Sequence, residues 1–167
     1  MVDIDRSVIG KPTGAWDIVV ERSPIEKFAS AVQDKNPVYH SDAAAAAAGF
    51  SAIPAPPTWT FTAPGNQYDD LRPQDPSGGQ NPMFAIMGQL HAQGALVLHG
   101  EQEFEYHAPI TVGDEIVATP VLTDVYEKDT DKATMVFTVI ETEWTNKATG
   151  QKVLTERFNL IGRLAKK

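Results

Sequence analysis

Ala133-Thr134-Met135-Val136-Phe137-Thr138-Val139-Ile140-Glu141-Thr142-Glu143-Trp144-Thr145-Asn146 is rich in β-branched and aromatic residues and reads as a strand. Val136, Ile140 and Trp144 share one parity with Thr134, Thr138 and Thr142, while Met135, Phe137 and Val139 hold the other. Both faces are partly apolar, as expected when a helix covers one face and a subunit or flanking segment meets the other. Segments at about 100–108, 114–127 and 151–164 have the same character, so everything from Gly100 onward is an antiparallel run. Pro109 to Asp114 links the first pair. The polar stretches Lys128-Asp129-Thr130-Asp131 and Asn146-Lys147-Ala148-Thr149-Gly150 fit hairpin loops.

Upstream, the pattern turns helical. Residues 1–15 carry Gly10, Pro12 and Gly14 and form a lead-in draped over the body, followed by a short strand at Trp16 to Glu21. Ser23-Pro24-Ile25-Glu26 is a helix start: a hydroxyl to cap, proline at the first helical position, glutamate where a capping box needs it. Ile25, Phe28, Ala29 and Val32 make one inward stripe, and Pro37 should end the helix near Asn36. Asp42 is expected to cap a second helix of six alanines, Ala43 to Ala48, closed by Gly49. Ile53 to Pro57 is a stiff connector, and Thr58 to Thr62 is either the first turn of a helix or a strand-like segment. Residues 64–82 read as a long loop of the kind that often serves function. Met83, Phe84, Met87 and Leu90 have helical spacing through about His91 and suit either core or the wall of a pocket. The order implies one α+β domain over 1–167, an antiparallel sheet curled around a central buried helix. An exposed sheet edge would suit a twin subunit.

Composition narrows the function classes. The 167 residues are 42% hydrophobic and 22% charged, ordinary for a globular chain with a real core. The formal charge of −8 argues against nucleic acid or an anionic membrane as the main partner, and no apolar run approaches a membrane span. Without cysteine there is no disulfide, thiolate nucleophile or Cys-based metal site. Met1 to Arg6 lacks a signal-peptide layout, so a cytoplasmic location is expected. No phosphate loop, Ser-His-Asp order signal or nicotinamide fingerprint appears, and no cofactor is expected. His99, Glu101 and His107 occupy odd positions of a strand and would share a face with Glu103 and Glu105, a solvated or subunit-facing pattern rather than a metal site.

The densest set of proton-handling groups is Gln33-Asp34-Lys35-Asn36-Pro37-Val38-Tyr39-His40-Ser41-Asp42. With Phe28 to Pro37, Ala48-Gly49-Phe50, Ala55-Pro56-Pro57-Thr58-Trp59 and Leu98 to His107, it resembles the MaoC-like dehydratases with a FAS1-type N-terminal hot-dog domain, relatives of the R-specific enoyl-thioester hydratases. The resemblance covers most of the chain from about Glu21 onward. The family's catalytic loop is similar to Gly-Asp-x-Asn-Pro-x-His. Here Gln33 stands in the glycine slot, Asp34, Asn36 and Pro37 match, and the histidine slot holds Tyr39, with His40 one position later. The His-Gly pair that usually enters the family's central helix is replaced by Ala55-Pro56-Pro57.

What the resemblance implies is a hot-dog hydro-lyase, or a subunit of one, for reversible hydration of enoyl to (R)-3-hydroxyacyl thioesters on coenzyme A or acyl carrier protein. It would be a homodimer, or a heterodimer with a second hot-dog chain. The catalytic pair would be Asp34 and His40: imidazole titrates in the right range for a base, and a carboxylate can orient water. Asn36 and Tyr39 would support the loop or touch the thioester. Pro57, Thr58 and Trp59 would form a substrate-binding helix start, with Thr58 the first residue whose backbone N–H could reach the developing oxyanion. The alternatives are a non-catalytic acyl-binding subunit of a heterodimeric dehydratase and, more remotely, a hot-dog thioesterase.

Overall fold

The computed structural model describes residues 2–12, 14–63 and 82–166. Five strands form one antiparallel sheet: β1 (Trp16–Val19), β2 (Leu96–Tyr106), β3 (Glu115–Asp129), β4 (Ala133–Asn146) and β5 (Lys152–Ala165), in the spatial order β1-β3-β4-β5-β2. The polar stretches after Lys128 and Asn146 are hairpin turns, closing on the pairs Asp129–Thr134 and Thr145–Lys152. Alternation along β4 is resolved as its parity implies. Val136, Thr138, Ile140, Thr142 and Trp144 are buried, while Met135, Phe137 and Val139 are half-buried.

Among the described residues, three α-helices cover the curled sheet: α1 (Arg22–Ala31), α2 (Asp42–Ala47) and α3 (Pro82–Ala92). The expected loop at 64–82 lies outside the described residues as far as 81, and so do the side chains of Met83 and Phe84. Ile86, Met87 and Leu90 of α3 pack on Leu122, Val136 and Ile140. Gly162 of β5 permits that approach, because a Cβ there would sit 2.7 Å from Leu90 Cδ1. The second core cluster joins Ile25 of α1 with Ala45 of α2, Ile53, Trp59, Trp144 and Leu154, and Phe28 packs against it. The lead-in runs along β3, with Gly10 N–H donating to the Leu122 carbonyl at 2.8 Å and Pro12 bridging to Val121.

Four local expectations are corrected. Helix α1 starts one residue before Ser23, and its N-cap Glu21 makes no side-chain bond. No capping box forms because Arg22 takes Glu26 (Nε to Oε1, 2.7 Å) and reaches on to Asp42 Oδ2 (2.9 Å). Pro37 does not end α1. Gln33 enters the left-handed region at φ +59°, with Gln33 N–H on Ser30 O and Asp34 N–H on Ala29 O. That double closure is a Schellman motif, and it leaves Val32 outside the stripe at 55% exposure. Ser41, not Asp42, caps α2, its Oγ accepting the Ala44 N–H at 3.3 Å. Finally, the odd positions of β2 do not share one face. A bulge between His99 and Gln102 turns the strand over. The His99 ring lies 4.6 Å from that of Phe158, whereas Glu103 and Glu105 pair with Arg157.

Candidate functional site

The loop after α1 is wired by its own side chains. Asp34 Oδ1 accepts the Asn36 N–H at 2.9 Å, and Asn36 Oδ1 accepts the Val38 N–H at 3.1 Å. These Asx turns set up a 3-10 turn at Pro37–Tyr39, capped by Asn36. Arg22 then clamps its exit, Nη2 donating to the His40 carbonyl at 2.8 Å. Tyr39 is half-buried and faces a cavity of about 630 Å³, whereas the exposed His40 is not among the residues that line it, nor is the half-buried Asp34.

The cavity lies between this loop, the small face of α2 (Ala44 and Ala48), Phe50, the proline-rich connector and the end of β2. Its size falls in the range of about 300–1,000 Å³ typical of small-molecule sites. Asn36, Pro57 and Thr58 line it as well; Trp59, 1% exposed, is core instead, and its Nε1 has no acceptor among the described residues. The segment after Pro57 is neither strand nor long helix but a single 3-10 turn, Trp59–Phe61. Its entry residue Thr58 has φ +66°, an unfavourable conformation for a β-branched side chain. The Thr58 N–H donates to the Tyr106 hydroxyl at 2.8 Å, and the Trp59 N–H goes to Pro56 O. The expected oxyanion donor is therefore already engaged by a phenol.

Tyr106 and His107 also line the cavity, and sequence reasoning assigned them no role there. The His107 ring is held through Nε2 and Thr155 Oγ1 at 2.9 Å. The Tyr106 ring stacks on Phe104, with centroids 6.2 Å apart and planes 10° off parallel. Burial pushes the Tyr106 phenol up, against the pull of the Thr58 amide, and the Glu156 carboxylate adds to the rise. Burial likewise raises Tyr39, with Asp34 and Tyr106 adding to it. Behind Tyr106, the buried Glu156 takes Gln102 Nε2 on Oε1 at 2.7 Å and Trp144 Nε1 on Oε2 at 3.2 Å. Burial raises this carboxyl above its ordinary range, opposed by those two donors and by Thr60. Thr60 Oγ1 makes no hydrogen bond of good geometry, yet it stands near enough to favour the charged form. The signal for Tyr106 was the Phe104-Glu105-Tyr106 alternation, readable only once the bulge had fixed which face was inward.

Comparison with known proteins agrees with this architecture. The family described as FAS1-like, dehydratase domain region, matches residues 7–156. A UPF0336 protein of Saccharopolyspora erythraea is 31% identical over 96% of this chain and 92% of its own length. Among solved structures, the ChsH1-ChsH2 complex from Mycobacterium tuberculosis superposes with a TM-score of 0.72 at 24% identity, covering 94% of this chain and 86% of that one. A C-terminally truncated HadBC (3R-hydroxyacyl-ACP dehydratase) complex, also from Mycobacterium tuberculosis, gives 0.62 at 23%, covering 95% and 100%. At these identities the structural likeness speaks for the fold, the hot-dog.

Proposed function

The chain belongs to the FAS1-like dehydratase domain family, and on that premise we propose that it is the acyl-thioester-binding subunit of a hot-dog dehydratase. In this reading the acyl group of an enoyl or (R)-3-hydroxyacyl thioester of coenzyme A or acyl carrier protein occupies the cavity beside Tyr39. A second hot-dog chain supplies the histidine that handles the proton. The observation that carries the proposal is the cavity wall itself, where the loop presents a phenol and leaves His40 outside the lining. A tyrosine, with its ordinary pKa near 10 and burial raising it further, is a hydrogen-bond donor at neutral pH and a poor base. The apolar edge of β2 supports a partner: Leu96, Val97 and Leu98 are 58%, 39% and 38% exposed. Two structural neighbours are themselves two-chain complexes.

The second reading is a self-sufficient hydro-lyase in which Asp34 orients water and His40 takes its proton. Its support is Asp34, whose charge is felt by the Tyr39 phenol at the cavity rim. The two readings separate in one assay, hydration of crotonyl-CoA and dec-2-enoyl-CoA by the purified chain. Background rates that rise only when a catalytic hot-dog chain is added are expected. Turnover by the chain alone, lost in Asp34→Asn and His40→Ala, would establish the second reading instead. Release of free acid and thiol from a saturated acyl-CoA would make the protein a thioesterase.

A further inference from the structure

We infer that Tyr106 and Tyr39 together donate the hydrogen bonds that hold the thioester carbonyl oxygen, with the Thr58 N–H acting through Tyr106 rather than on the ligand. The assignment rests on the acyl-thioester reading above and names the groups that recognise the ligand's one strongly polar atom. Tyr106 Oη accepts the Thr58 N–H at 2.8 Å, so its own O–H is left to find an acceptor. Among the described residues neither that O–H nor the O–H of Tyr39 has one, and both residues line the same cavity. A hydroxyl that accepts a hydrogen bond becomes a better donor, so the Thr58 amide strengthens Tyr106 in that role.

The surrounding geometry fixes this arrangement. Thr58 holds the left-handed conformation that only glycine adopts freely, and the bond to Tyr106 is made from that conformation. Stacking on Phe104 sets the ring, and the buried Glu156 behind it discourages loss of the phenolic proton. Two neutral donors suit a carbonyl, and they suit the negative oxygen of an enolate better still.

The test uses saturated thioesters, which cannot be hydrated. Butyryl-CoA and octanoyl-CoA labelled with ¹³C at the carbonyl are bound to the full chain, and the thioester C=O stretch is read by difference infrared spectroscopy. The wild type is expected to shift the band to lower frequency. Tyr106→Phe should move it back toward the solution value and weaken binding about tenfold, the worth of one hydrogen bond. Tyr39→Phe should give a partial return, and it tests the assignment separately if Tyr106→Phe fails to fold. Binding with an unshifted band in the wild type, or with the shift intact in the phenylalanine variants, overturns the assignment and leaves acyl binding standing. No binding of either thioester by the wild type overturns both.

Discussion

Glu156 is the residue whose titration should be visible in the stability of the whole protein. Burial holds its folded-state pKa above the ordinary carboxylate value, so the folded chain binds that proton more readily than the unfolded one. Its contribution therefore favours folding below the ordinary carboxylate range and is lost as pH rises through the raised pKa. Glu156→Gln removes this dependence. The amide can still meet Trp144 and Gln102, since the Gln102 side chain can turn to offer its oxygen. Thermal melts from about pH 4 to pH 8 should show the wild type losing ground to the variant as pH rises. Parallel curves would mean that Glu156 stays charged and well solvated. At the same scale, Tyr39 illustrates how one position redirects chemistry: the slot in which the resembling loop carries histidine faces the cavity, and it holds a phenol.

Among the elements, the closure of α1 stores strain that a single substitution can release. Gln33 occupies the left-handed position of the Schellman motif, which is the slot where the resembling loop carries glycine. A non-glycine residue there costs roughly 1–2 kcal/mol, and glycine gives back about 0.5–1 kcal/mol through its freer unfolded chain. Gln33→Gly should therefore raise stability by up to about 1.5 kcal/mol, measured by urea unfolding; a clear loss would show that the Gln33 side chain holds the loop. This element also shows what the sequence could and could not reveal. The β-run was readable because alternation and turn residues are local, and the hairpin positions followed directly. Helix ends were not. Arg22 draws Glu26 away from its capping position and itself bonds Asp42 and the His40 carbonyl, twenty and eighteen residues further along. The Thr58–Tyr106 bond spans 48 residues, and no local pattern announces it. The turns at Asp34 and Asn36 were legible for the opposite reason, since Asx-turn chemistry is written in adjacent residues.

At the scale of the molecule, the sheet curls around a core in two parts. Helix α3 covers one end, while α1, the loop and α2 cover the other. The alanine helix gains its sense here: Ala45 is sealed in the core while Ala44 and Ala48 leave the volume that becomes the cavity. Narrowing that volume should cost little stability, of the order of 0.5 kcal/mol for a half-exposed position, but it should crowd an acyl group. The most direct test of acyl-thioester binding is therefore a calorimetric titration of octanoyl-CoA into the purified wild-type chain and into Ala44→Leu. The account predicts saturable binding at one site per chain, weakened in the variant while its melting temperature stays close to that of the wild type. No binding heat in the wild type, or undiminished binding in Ala44→Leu, would contradict it.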